Sequence, residues 1–110
     1  MTSIHAGNIT DVYEMPITEI IRPFMSEVSE NKVRSIMKTL SNPATAEEVP
    51  PIDVMWVVGS EGGNYYYSFG GCHRYIAHIR LKLPTIRVKL VRSTVKDLWI
   101  HLGSSTPDLK

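Results

Sequence analysis

The sequence predicts an α+β (mixed α/β) fold in which a small mixed β-sheet is packed by helices. Two observations carry this. Apolar residues recur at helical spacing in three segments, near residues 29–40, 72–81 and 94–102, while the runs 52–58, 65–69 and 85–91 alternate or stay apolar as strands do. In addition, Tyr65 to Val91 reads strand, Gly-Gly, helix, strand, a βαβ-like unit expected to cross over right-handed. The chain has 110 residues, 43% of them hydrophobic and 21% charged, which suits one domain with a modest core. Residues 1–10 are expected to be a flexible lead-in and 11–110 the domain.

Each element has a local reason. Asp11 to Met15 is expected to be a short strand, since Val12 and Tyr13 favour extended backbone. Pro16 is expected to interrupt it, with Ile17–Ile21 a turn or a second short strand, and Pro23 keeps Arg22 extended. A helix from about Ser29 to Leu40 takes Ser29 as its N-cap and buries Val33, Ile36, Met37 and Leu40. Lys32, Ser35 and Thr39 form a polar stripe beside that face. Spacing alone reads it as a solvated helix shoulder, although a ligand lying between helix and sheet would meet the same residues. Proline-rich 41–51 reads as a loop. Ile52 to Val58 is apolar on both sides, as an interior strand is, and pairs through a Gly-rich turn with Tyr65–Phe69. The next helix, about Cys72 to Leu81, is expected to bury Ile76, Ile79 and Leu83. Thr85–Val91 alternates as a strand. Ser93 or Thr94 caps a last helix with Val95, Leu98, Trp99 and Leu102 on one face, and Gly103 ends it.

The net charge of +1 provides no basic field for nucleic acid or an anionic membrane. A single cysteine excludes an internal disulfide and fits a reducing compartment. No run approaches membrane-spanning length. A soluble, cytoplasmic and monomeric protein is the expectation.

The chemistry centres on Tyr65-Tyr66-Tyr67-Ser68-Phe69-Gly70-Gly71-Cys72-His73-Arg74-Tyr75. A lone cysteine is usually a small buried hydrophobe. Here it follows a glycine pair at a helix start, where free N–H groups and the helix dipole favour anions and lower a thiol's pKa. His73 and Arg74 add donors suited to phosphate oxygens. A reactive thiolate beside a phosphate-binding turn and an inert structural thiol therefore both remain open. Several specific chemistries fall away. A phosphatase-type pattern needs an arginine six positions after the cysteine, where His78 stands. There is no C-x-x-C pair, no Walker-type loop, and no metal-ligand spacing among the four histidines.

Phe69-Gly70-Gly71-Cys72-His73-Arg74-Tyr75 resembles the signature of the sulfiredoxins. The resemblance extends through Ile21-Arg22-Pro23, Lys32-Val33-x-Ser35-x-x-x-Thr39, Val49-Pro50-Pro51-Ile52-Asp53-Val54 and Gly103-Ser104-Ser105-Thr106-Pro107-Asp108-Leu109, covering the chain from about Val12. It implies a sulfiredoxin/ParB-like fold and an ATP- and Mg²⁺-dependent reduction of cysteine sulfinic acid in hyperoxidised two-cysteine peroxiredoxins. The implied route makes a sulfinic phosphoryl ester and then a thiosulfinate between the two proteins. By resemblance, Cys72 is the nucleophile and Arg22 lowers its pKa. Gly71, Cys72, His73 and Arg74 form the phosphate-binding turn, and Lys32, Ser35 and Thr39 hold the adenosine. Mg²⁺ comes with ATP and needs no protein side chain. A partner patch of Phe24, Met55, Phe69, Val91, Ile100 and His101 is implied as well, although most of these also read as core, and His101 stands where an aromatic residue is expected. With no second cysteine, glutathione or thioredoxin would resolve the intermediate.

Two other functions are compatible with parts of this pattern. A deglutathionylating thiol enzyme needs Cys72 but not ATP. A non-enzymatic ParB-like nucleotide- or DNA-binding module predicts a basic face or an attached helix-turn-helix domain, and the sequence shows neither.

Overall fold

A computed structural model describes residues 12–24 and 26–110. The expected lead-in at 1–10 and Asp11 lie outside them. Five strands form one mixed sheet: β1 (Val12–Pro16), β2 (Ile20–Ile21), β3 (Ile52–Val58), β4 (Asn64–Tyr67) and β5 (Thr85–Ser93), in the order β1-β5-β3-β4-β2. Three α-helices accompany it: α1 (Glu30–Ser41), α2 (Cys72–Arg80) and α3 (Val95–Leu102). None of them is long and apolar enough to cross a membrane.

Strand β3 is interior as its two apolar sides require, antiparallel to β4 and parallel to β5. That register corrects the βαβ-like unit. Strands β4 and β5 run in opposite directions with β3 between them, so α2 does not join two neighbouring parallel strands. The parallel crossover is β3 to β5, and both β4 and α2 lie on it. Sequence spacing reports the order of elements but not which strand slots between them.

Pro16 ends β1 and does not interrupt it, its position opposite Thr85 lying at a sheet edge where a missing N–H is tolerated. From there a 3-10 turn, Ile17–Glu19, leads directly to β2 at the opposite edge. Four peptide steps reach at most about 14 Å. Five flat strands would set the edges about 19 Å apart. The sheet therefore curls towards closure. Ile17 is buried with Met15, Ile20, Ile52, Val54, Ile86 and Val88, and the enclosed face is the main core.

Helix α2 covers part of that face through Tyr75, and α1 packs on α2 with Val33 buried. A bidentate pair from Arg80 to Glu30 at 2.6 and 2.9 Å links the two helices. The expected apolar stripe on α2 is corrected: Ile79 is 44% exposed, and Ala77 and His78 are the buried residues. The small Ala77 leaves no gap when helices close over it. His78 is satisfied because Nδ1 donates to the Arg74 carbonyl at 2.6 Å, and burial holds its pKa below the ordinary histidine value.

The opposite face packs Val57, Tyr67, Leu98 and Leu109. Thr94 caps α3 in a capping box with Asp97. Leu98 alone on α3 is fully buried, whereas Val95 and Trp99 are exposed, so the buried stripe is narrower than the spacing suggests. The tail folds back: the Ser60 and Gly63 N–H groups donate to the carbonyls of Leu109 and Lys110 at 3.0 and 3.2 Å.

Candidate functional site

The site begins with two parallel neighbours. Ile20 and Ile21 of β2 pair with Tyr66 and Tyr67 of β4, and the Ser68 N–H continues the ladder to the Ile21 carbonyl at 3.0 Å. Both chains leave the sheet at the same end. Arg22 follows one strand and the Gly70-Gly71 turn follows the other, so a cation and the start of α2 meet there.

Gly71 stands immediately before α2 with φ of 68°, in the left-handed region that glycine enters without penalty. A Cβ at this position would lie 2.5 Å from Ile52 Cγ2, so the close approach to β3 also requires glycine. Having no side chain to cap the helix, it leaves the first-turn N–H groups at the site.

Arg22 reaches Cys72 directly, with Nη2 2.7 Å from Sγ. Its Nη1 donates to the Ser68 hydroxyl at 3.0 Å and to the Gly70 carbonyl at 2.7 Å, and its Cζ lies 4.9 Å from the centre of the Tyr75 ring. Burial alone pushes the Cys72 thiol pKa up. Hydrogen bonds from the Ser26 side chain and backbone, together with the Arg22 charge and hydrogen bond, outweigh it and bring the pKa below the ordinary thiol value. The sequence reading missed Ser26 and Ser68. Neither has a local signal, since serine is common in any loop.

A cavity of about 590 Å³ opens between α1, the loop before β3 and the beginning of α2. Lys32, Ser35 and Thr39 line one wall, Glu48 to Pro50 another, and Gly71, Cys72, His73 and Arg74 the third. The structure thus gathers the α1 polar stripe and the Gly-Gly turn around one space. His73 Nε2 accepts from the Ser29 N–H at 3.0 Å, which ties the start of α1 to the start of α2. Arg74 Nη1 donates to the carbonyls of Pro50 and Pro51 at 3.2 and 2.8 Å, tying the proline loop to α2. Among the described residues, none of the ion pairs to a carboxylate involves Arg22, Lys32 or Arg74. Among the described residues of the cavity wall, Glu48 is the one acid, so the space suits an anion.

Beside this site lies an apolar surface. Phe24 and Phe69 are 6.0 Å apart, and His101 stacks on Phe69 at 4.2 Å with 9° between planes, so the imidazole makes the flat ring contact that an aromatic residue would make. Ile100 is 77% exposed, and Phe24 and Val91 are exposed as well. Met55 is half-buried opposite Val91 and Tyr67 in the sheet. Four of the six patch residues are accordingly surface, and Met55 and Phe69 are the ones that also pack inward.

Comparison with known proteins gives three kinds of likeness. A family model described as the ParB N-terminal domain matches residues 1–106. Sulfiredoxin of Schizosaccharomyces pombe is 38% identical over 117 residues, covering 96% of this chain and 94% of that protein. The crystal structure of sulfiredoxin from Arabidopsis thaliana is 38% identical with a TM-score of 0.70, covering 84% of this chain and 97% of that one. BEACH domain-containing protein lvsE of Dictyostelium discoideum is 50% identical over 93 residues, and the chain spans 4% of its length.

Proposed function

The chain belongs to the sulfiredoxin family, in a fold shared with the ParB N-terminal domain, and we propose that it uses ATP and Mg²⁺ to reduce cysteine sulfinic acid in hyperoxidised two-cysteine peroxiredoxins. The observation that carries this reading is the Arg22–Cys72 contact of 2.7 Å at the wall of the cavity lined by Lys32, Ser35 and Thr39. A nucleophile and an anion-binding space share one helix start.

The cavity fits the nucleotide in its donor set. The first-turn N–H groups of α2, His73 and Arg74 suit phosphate oxygens, and the hydroxyls of Ser35 and Thr39 with the Lys32 ammonium suit the adenosine end. ATP would supply the phosphoryl group that makes a sulfinate oxygen a leaving group, and Mg²⁺ would come with the nucleotide, needing no protein side chain. Arg22 holds Cys72 as a thiolate and offsets the negative charge gathered at the turn. The Cys72 thiolate attacks the activated sulfinyl sulfur. An S–S bond forms as the S–O bond breaks, and phosphate leaves with that electron pair, giving a thiosulfinate. An external thiol, glutathione or thioredoxin, then attacks the Cys72 sulfur and releases the partner's sulfenate. A second thiol reduces the mixed disulfide left on Cys72, because the sequence holds no other cysteine. Phe24, Met55, Phe69, Val91, Ile100 and His101 would seat the peroxiredoxin beside this chemistry, a reading supported by the ring contacts of Phe24 and His101 with Phe69.

Mass spectrometry of hyperoxidised peroxiredoxin tests the proposal. With the protein, ATP, Mg²⁺ and a thiol, loss of the sulfinic oxygens is expected, one at the Cys72 step and the other as the released sulfenate condenses with thiol. Retention of both oxygens sinks the reading. Leaving out ATP separates it from thiol exchange, which proceeds without nucleotide.

A further inference from the structure

Arg22 and Cys72 are 50 residues apart in sequence, and a long arginine side chain does not by itself stay aimed at one sulfur. A guanidinium is a planar fork that can only donate hydrogen bonds. Fixing one of its nitrogens between two acceptors, with a ring beneath the plane, therefore fixes where the other nitrogen points. Those restraints are present. Nη1 lies 3.0 Å from Ser68 Oγ and 2.7 Å from the Gly70 carbonyl, and the Tyr75 ring is under Cζ at 4.9 Å.

Ser68 is 1% exposed, so its hydroxyl has no water to fall back on. Since Arg22 only donates, Oγ accepts from it and gives its own hydrogen to the Gly70 carbonyl at 3.2 Å. The backbone of the same residue donates to Ile21 at 3.0 Å. Ser68 thus grips Ile21 by its main chain and Arg22 by its side chain, at the point where β2 ends. We propose that Ser68 is a positioning residue, which aims Arg22 at the Cys72 sulfur and so sets the reactivity of the thiol. This rests on Cys72 acting as a thiolate, and it goes beyond the family-implied roles of Arg22 and Cys72 themselves. If Ser68 were only a buried space-filler, its loss would leave Nη1 on the Gly70 carbonyl and the thiol unchanged.

The test is the pH profile of Cys72 alkylation by iodoacetamide on the chain alone, without ATP or partner. A failure of sulfinate reduction is then distinguishable from a failure of this inference. Ser68→Ala is expected to move the midpoint up by roughly half a pH unit, a thiolate fraction about threefold lower below the midpoint. Ser68→Thr, which keeps the hydroxyl, should return the midpoint towards the starting value. In an Arg22→Gln background, Ser68→Ala should add no further shift, because the two act as one unit. A midpoint unmoved by Ser68→Ala overturns the inference even if the protein melts earlier. An equal shift with and without Arg22 overturns it too.

Discussion

Replacing Cys72 by serine should separate the two activities proposed for one turn. The first-turn N–H groups and Gly71 persist in Cys72→Ser, so ATP binding measured by calorimetry should survive, while no covalent adduct with peroxiredoxin should form on a non-reducing gel. Full turnover by this variant would remove Cys72 from the mechanism. The pH dependence has a defined sign. A depressed thiol pKa means that the thiolate persists to lower pH than in an ordinary cysteine and is lost as the pH falls through that lowered value. Arg22→Gln removes one of the lowering influences, so the acid limb of the rate profile should move up towards the usual thiol range near about 8.5, with recovery at high pH. A limb that stays in place contradicts the role given to Arg22. At this scale the sequence was legible where a residue belongs to a contiguous pattern, as Gly71 to Arg74 do. Ser68 meets Arg22 across 46 positions, and nothing in the neighbourhood of either announces it.

Elements were easier to read than their arrangement. The helix starts at Ser29 and Thr94 follow from side chains that cap their own neighbours, which is a local interaction. The placement of β3 between β4 and β5 depends on non-local pairing, and the strand–helix–strand order of 65–91 suggested adjacency that the sheet does not have. The joint between β4 and α2 is where element geometry and chemistry meet. Gly71→Ala must accept both a positive φ and a contact with Ile52 that is far too short. A loss of about 2 kcal/mol or more in chemical denaturation is expected. Weakened nucleotide binding should accompany it, since the helix start lines the cavity. A stable variant with normal binding would show that the turn relaxes freely.

At the scale of the whole molecule, two clusters on opposite faces of a curled sheet share the work of stability. Leu109 belongs to the second, with Val57, Tyr67 and Leu98, whereas the cavity lies at the other end of β3 near Ile52. Leu109→Ala should therefore cost about 2–3 kcal/mol in urea unfolding while leaving nucleotide affinity within about twofold. A large loss of affinity would mean that the two ends of the strand are coupled. One apolar residue in the otherwise polar stretch 104–110 was too little signal to predict that this segment packs back. The short pairing of β2 with β4 has a consequence for the life of the protein before it is finished. Until that pairing forms, Arg22 and Cys72 are strangers on a flexible chain, and the thiol keeps its ordinary, mostly protonated state at neutral pH. On the role proposed for Cys72, its reactivity is acquired with the fold: an emerging or misfolded copy presents an ordinary thiol, and the Arg22 contact exists only in the completed molecule.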